Sequence, residues 1–358
     1  MTTGERYTLH GLKLSYFTGK LEAYFGAKGI AFDYVEMNLA DFRRCARATG
    51  IAQMPQVETP SGSWLTDTTD IIADFEARTS EPHLKPADPA TAFISLLLED
   101  MFDEWLWRPA LYYRWAFPED ARLMSSQLAR TLLRDAPGPL FLRRRIILGR
   151  QRRVFLKKDG VARTTAPQIE DLYLRTLAIL EPIFAARPFL FGARPCEADF
   201  GLFGPFFRHF SSDPTPAAIL RARAPHTLAW VCRLWAATPA QLAASPVVTD
   251  APADLDPLLA MACNEYLPYL AANSDAVHAG KNEVRWTNLG VAWRTPASPY
   301  RARCLARLQA AYQALEAAPR SVIDARLTPG GLVLLTRPVA VNVMSMTPAP
   351  KPRDRNWR

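Results

Sequence analysis

Cysteine is scarce in this chain and forms no pattern. Five cysteines (Cys45, Cys196, Cys232, Cys263, Cys304) lie scattered through 358 residues, odd in number and without a CxxC pair. A disulfide framework is not expected, and a reduced, cytoplasmic setting is. No His/Cys group has metal-ligand spacing, so no metal site is expected. Long apolar runs are missing too. "FISLLLEDMF" and "GGLVLLTRPVAVNVM" are short or broken by charge and proline. Both fall below the ~20 residues that cross a bilayer, so no membrane span is expected. The opening "MTTGERYTLHG" brings Glu5 and Arg6 before any apolar stretch, which argues against a secretory leader. No internal repeat is visible.

What is present is ordinary globular material. Hydrophobic residues make up 49% and charged residues 22%, ample for a core. The length suggests roughly two to three domains. The net charge of +8 is partly local: "RRRIILGRQRRVFLKK" (143–158) holds eight basic residues and no acid. A nucleic-acid patch, a membrane-surface patch and a plain solvated face are all open for this stretch. No nucleic-acid-binding motif accompanies it, so the solvated face is preferred and a nucleic-acid partner is not expected.

Residues 6–80 alternate strand and helix signals. "RYTLHG" and "AFDYVEMN" read as strands, and "TGKLEAYFGAKG" as a helix stopped by Gly29. "LADFRRCARATG" reads as a short helix. "PQVETPSGSWLTD" reads as a hairpin, and "TDIIADFEART" as a closing helix with Thr68 as its N-cap. The order β-α-β-α-β-β-α is that of the thioredoxin-like fold. The proline-rich "EPHLKPADPA" (81–90) reads as a linker. Helical periodicity follows over 90–116, 119–134, 165–186, 197–210 and 226–237. Ala- and Pro-rich residues 236–257 form a second boundary. Two helical stretches then flank a strand-like "EVRWTNLGVAWR". The Pro- and charge-rich tail from 348 onward is expected to be disordered. The reading is therefore α/β plus all-α: domain 1–80, helical domain 90–237, and a mostly helical extension 238–358.

Three motifs carry chemistry. "LSYFTGKLEAYFGAKG" sets three hydroxyls, on Ser15, Tyr16 and Thr18, at the mouth of a helix. A helix N-terminus and a hydroxyl donor both stabilise an anion such as a thiolate. "AQMPQVETPSG" places Met54-Pro55 before a strand, and "WLTDTTDII" places Asp67 and Thr68 before a helix. In order and spacing these resemble the glutathione-binding domain of glutathione transferases, and the resemblance extends over about residues 6–237.

The resemblance implies the following. Laid without gaps, Ser15 takes the catalytic position and Thr18 the second position of the thioredoxin-type pair. A register with one gap makes Tyr16 catalytic instead; the ungapped register is preferred. Met54-Pro55 is expected to be cis and to pair backbone groups with the glutathione cysteinyl unit, with Gln53 nearby. Thr68 would hold the γ-glutamyl carboxylate and Asp67 its ammonium. Asp70 stands where a small residue is usual. In "FLFGARPCEADFGLFGPFF", Cys196 replaces the usual capping hydroxyl while Asp199 is kept, which implies a weaker cap. The aromatic stretch 97–115 would line an apolar second site or a dimer contact. Its Glu99 and Asp103 lack a nearby histidine and are not read as metal ligands. The expected function is conjugation of the glutathione thiolate to a small apolar electrophile by a cytoplasmic homodimer, with glutathione as co-substrate. A non-catalytic binding or scaffold role is the alternative. The extension's basic and aromatic segments are candidates for a lid.

Overall fold

The computed structural model describes residues 6–79 and 81–338. The expected disordered tail lies outside these residues. The N-terminal unit runs β1 (Tyr7–Gly11), α1 (Tyr16–Lys28), β2 (Phe32–Glu36), α2 (Leu39–Thr49), β3 (Gln56–Glu58), β4 (Trp64–Leu65) and α3 (Thr68–Arg78). Its sheet has the order β2-β1-β3-β4. β1 is parallel to β2, pairing Leu9 with Tyr34, and antiparallel to β3, pairing Leu9 with Val57. This is the thioredoxin-like arrangement that the element order implies.

Local chemistry sets the boundaries. Asn38 caps α2 through Asp41 N–H at 2.8 Å, and Gly29 ends α1 in the left-handed region at φ 75°. α3 differs from expectation by one residue. Its N-cap is Asp67, whose carboxylate accepts from Thr69 N–H at 3.2 Å; Thr68 is the first helical residue.

The helical part contains α4 (Pro89–Trp105), α5 (Trp107–Ala116), α6 (Pro118–Thr131), α7 (Leu140–Arg150), α8 (Ala166–Ala186), α9 (Glu197–Pro205), α10 (Pro214–Arg223), α11 (Pro225–Trp235) and α12 (Pro239–Ala244). The stretch 90–116 is two helices rather than one. Pro109 has no N–H to offer the carbonyl of Trp105, and its ring crowds that carbonyl, so the helix breaks at Leu106. The basic stretch 143–158 continues α7 into a wider turn over Gln151–Leu156. α10 has no counterpart in the sequence reading.

The extension holds α13 (Asp256–Met261), α14 (Leu267–His278), the hairpin β5 (Glu283–Asn288) and β6 (Val291–Pro296), then α15 (Pro299–Gln313), α16 (Ala317–Asp324) and α17 (Pro329–Leu335). The strand-like segment is thus a complete two-stranded hairpin. α13, α15 and α16 pack on α4. Leu258, Tyr266, Leu270, Leu305, Leu308 and Leu335 join the same apolar cluster as Leu9, Phe25 and Leu97. The extension shares the main core instead of forming one of its own. No helix among the described residues is long and apolar enough to cross a membrane.

α9 is buried along its whole length between α1 and α4. A Cβ on Gly201 would lie 2.9 Å from the backbone of Glu99, and one on Gly204 would lie 2.9 Å from the Tyr16 ring. Only glycine permits both approaches. The cap of α9 differs from the expected weak one. Asp199 accepts from Cys196 N–H at 3.0 Å. The hydroxyl that Cys196 lacks comes from Ser95 of α4, whose Oγ accepts from Ala198 N–H at 3.2 Å.

α1 joins the two parts through a buried charge. Lys20, fully enclosed, places its ammonium on Glu99 and Asp103 of α4, and Thr69 donates to Glu99 at 2.7 Å. Burial pushes both carboxyls up. Lys20 and Arg307 nonetheless hold Glu99 below its ordinary range, whereas Asp103, next to Glu99, stays well above its own. Lys20→Met should cost about 3–5 kcal/mol, because an enclosed carboxylate then lacks its partner. Urea unfolding at neutral pH measures this, and part of the loss should return at acidic pH as the carboxyls protonate.

Candidate functional site at the mouths of α1 and α3

Ser15 sits in extended backbone at the start of α1. Its Oγ accepts from Thr18 N–H at 3.4 Å, and its own backbone N–H is used on Leu12 O at 2.8 Å. Among the described residues its hydroxyl proton has no acceptor. The side chain is half-buried, which leaves it within reach of a ligand.

The neighbouring hydroxyls are placed differently. Tyr16 is 1% exposed, and its hydroxyl donates to Phe102 O of α4. Burial, then Asp103, Glu104 and Glu99, push this phenol well above its ordinary range. The gapped register that makes Tyr16 catalytic therefore meets an enclosed and already committed group. Thr18 is fully buried against Gly11, and its Oγ1 has no hydrogen-bond partner among the described residues. It packs helix to strand and presents nothing outward, contrary to its expected role beside a ligand.

Met54-Pro55 is cis. Pro55 is buried, Met54 half-buried and Gln53 exposed. The loop is stapled from within by Gln56, whose side-chain amide donates to Ile51 O at 2.7 Å and to Gln53 O at 3.1 Å.

Asp67 has φ 72° and ψ 109°, an unusual conformation for a residue with a Cβ. Such backbone positions cost roughly 1–3 kcal/mol and cluster at ligand sites. Its Oδ2 is buried without a hydrogen bond, and its nearest cation is Arg303 Nη2 of α15 at 3.5 Å. Thr68 is 5% exposed. α15 carries three arginines onto an acidic row. Arg301 donates to Glu104 at 2.9 Å, Arg303 faces Asp67, and Arg307 reaches Asp100 at 2.6 Å and Asp70 at 3.6 Å. The resemblance, which puts Ser15 and Thr68 on one bound glutathione, implies an open cleft between them. Instead the extension lies over the start of α3. Two cavities of about 330 and 390 Å³ lie elsewhere, one beside Leu84 and Val248 and the other on the outer face of the β5–β6 hairpin.

The aromatic stretch 97–115 is mostly core: Trp105, Tyr112, Tyr113 and Trp115 are buried within this one chain. Trp107 is the exception. It is half-buried and stacks on Phe17, with ring centres 5.9 Å apart, and its Nε1 donates to Asp159 at 2.9 Å. Trp107 belongs to the aromatic stretch that the sequence reading assigned to an apolar second site; Phe17, two residues after Ser15, was not named for it. The signal available was Phe17 itself, an aromatic two residues after the capping serine.

His10, Asp41 and Cys45 offer ligand atoms within 4.8 Å of one another. The cation of this cluster is already present. Arg44 lies 3.2 Å from His10 Nε2 and 3.0 Å from Asp41 Oδ1, and His10 Nδ1 lies 2.9 Å from Asp41 Oδ2. Burial pushes the Cys45 thiol up to about 12, so it stays protonated.

No protein-family model matches the chain, and no curated protein does. Solved structures do match. The β-etherase LigF from Sphingobium sp. strain SYK-6 is 19% identical, covers 64% of this chain and 95% of its own, and has a TM-score of 0.44. A glutathione S-transferase from Methylobacillus flagellatus KT with glutathione bound is 15% identical over 65% of this chain and 99% of its own, with a TM-score of 0.42. FzlA from C. crescentus is 17% identical over 64% and 87%, with a TM-score of 0.41.

Tyr16→Phe should cost about 1 kcal/mol of stability, the worth of one buried hydrogen bond. It should leave any thiol chemistry at Ser15 unchanged; thermal unfolding and a steady-state assay check the two halves separately.

Proposed function

We propose that the protein binds glutathione across the starts of α1 and α3 and joins its thiolate to a small apolar electrophile, as a glutathione transferase does. The observation that carries this is Ser15: an unspent hydroxyl proton at the N-terminus of a 13-residue helix. A free thiol has a pKa near 8.5, about 1.5 above neutral pH, so this site must favour the thiolate by about 2 kcal/mol. The helix end and one charge-assisted hydrogen bond are of that size.

The remaining residues fit the peptide. The buried, unbonded Oδ2 of Asp67 is an acceptor for the γ-glutamyl ammonium. Thr68 and the first amides of α3 suit its carboxylate. The backbone at Met54, before the cis Pro55, suits the cysteinyl unit, with the exposed Gln53 at the rim. Phe17 and Trp107 supply the apolar wall. The thiol proton leaves to solvent, the sulfur lone pair forms the S–C bond, and the leaving group departs with the electrons of the bond that breaks. Ser15 holds the sulfur throughout. A cytoplasmic setting fits the unpaired cysteines. A homodimer would use faces other than the buried aromatics of α4 and α5.

Ser15→Ala removes one hydrogen bond to an anion, worth roughly 1.5–3 kcal/mol, and should lower turnover of a general electrophile about 10- to 150-fold. Unchanged turnover would exclude Ser15 as the sulfur's partner.

A second reading, a glutathione-fold binding module without turnover, is favoured by Arg303 on Asp67. Here the extension holds the carboxylate that a ligand would use. Arg303→Gln should then raise glutathione affinity by about two- to fivefold, the range of a partly exposed ion pair. Titration calorimetry reads this directly, and a fall in affinity would instead make Arg303 a contact of the ligand.

A further inference from the structure

α7 and the turn that follows it are unused by the site described above, and their composition is distinctive. Three large apolar side chains point outward on this one helix: Phe141 is 71% exposed, Ile146 51% and Leu142 45%. At 3.6 residues per turn they fall, with Arg145 and Gly149, inside one arc of about 140°. Arginines and lysines surround them. Residues 143–158 contain eight basic side chains and no acid. The side chains of Arg144, Arg145, Lys157 and Lys158 make no hydrogen bond or ion pair with the described residues.

The opposite face is fully engaged, so the outward groups are not misplaced core. Ile147 and Leu156 are buried, and they share a cluster with Leu128 and Leu132 of the α6 segment. Arg143 pins the helix by donating to Leu133 O at 2.7 Å and Arg134 O at 3.0 Å. The helix is held on the body with a fixed outer face that is both apolar and cationic.

We propose that this face docks on an anionic phospholipid surface, with Phe141, Leu142 and Ile146 entering the boundary between headgroups and acyl chains and the basic side chains meeting lipid phosphates. A face that combines aromatic and aliphatic groups with Arg and Lys is what such an interface selects. A nucleic acid would satisfy the basic residues and leave the three apolar ones in water. A second copy of the chain, packed face to face, would set the same positive patch against itself. The lipid surface is the one occupant that uses both halves of the chemistry.

Cosedimentation of the full-length protein with vesicles tests this. Binding is expected to vesicles of phosphatidylglycerol mixed with phosphatidylcholine, to weaken with salt, and to be absent from phosphatidylcholine alone. Arg144→Ser and Arg145→Ser should each weaken it about fivefold. Phe141→Ser with Ile146→Ser should weaken it by about tenfold or more, with the circular dichroism spectrum unchanged because both side chains are already exposed. Absence of binding to the mixed vesicles overturns the proposal. So does equal binding to both vesicle types. Retention of full vesicle binding by the Phe141/Ile146 variant, or tighter binding of the wild type to duplex DNA than to vesicles, would mark a plain polyanion patch and overturn it as well. Should that double variant misfold, the comparison of wild-type binding to the mixed vesicles and to duplex DNA decides the question, with tighter binding to the vesicles expected.

Discussion

The ammonium of Lys20 lies between two carboxyls that belong to another part of the chain, and much of the architecture is organised around that fact. Enclosing a charge without a partner costs several kcal/mol, so α1 can be buried on this side only where α4 delivers Glu99 and Asp103. The N-terminal sheet and the helical region are thereby locked in one register. Burial raises both carboxyls; Lys20 and Arg307 hold Glu99 below its ordinary range, while Asp103, beside Glu99, stays above its own. Tyr16 and Thr69 complete the seam, one on a backbone carbonyl of α4 and one on Glu99.

The extension is built on the same seam. Its arginines on α15 answer the acidic side chains that α3 and α4 turn outward, Asp67, Asp70, Asp100 and Glu104. Apolar packing fixes α15 and α16 against α4, and the ion pairs set which helix face is presented. One consequence bears on the site: the groups that would recognise the two ends of an amino acid, a carboxylate and a helix start, lie under a guanidinium of the same chain. On the proposed reading, recognition of a ligand and placement of the extension would be coupled through Asp67.

Much of the first 80 residues was legible because the signals there are local. Period-two strands, the Lys28-Gly29 stop and the "QMPQV" strand entry each depend on a few neighbouring residues. The cluster of hydroxyls at the mouth of α1 was legible in the same way, although the helix begins at Tyr16, two residues before the expected Thr18. Side-chain direction was not legible. Tyr16 and Thr18 carry hydroxyls as Ser15 does, but on a helix they point 100° and 300° further round. Only the presence of α4 and β1 decides that both are buried. The break at Leu106 was readable in principle from Pro109, yet the strong apolar periodicity on either side concealed it. The pairing of Arg303 with Asp67 spans most of the chain and has no local trace.

The start of α9 shows what such distance does. One acceptor of its first turn is Ser95 Oγ, on a helix 103 residues earlier in the chain, beside the local bond from Cys196 N–H to Asp199. An ordinary cap travels with its helix and helps it nucleate as soon as the segment is synthesised. Here the Asp199 half travels with the helix, and the Ser95 half is absent until α4 has docked. The beginning of the central helix is therefore shared between a local bond and a tertiary one: Ala198 N–H gains its acceptor only when α4 packs against α9, so docking of α4 completes a turn that the segment's own residues begin.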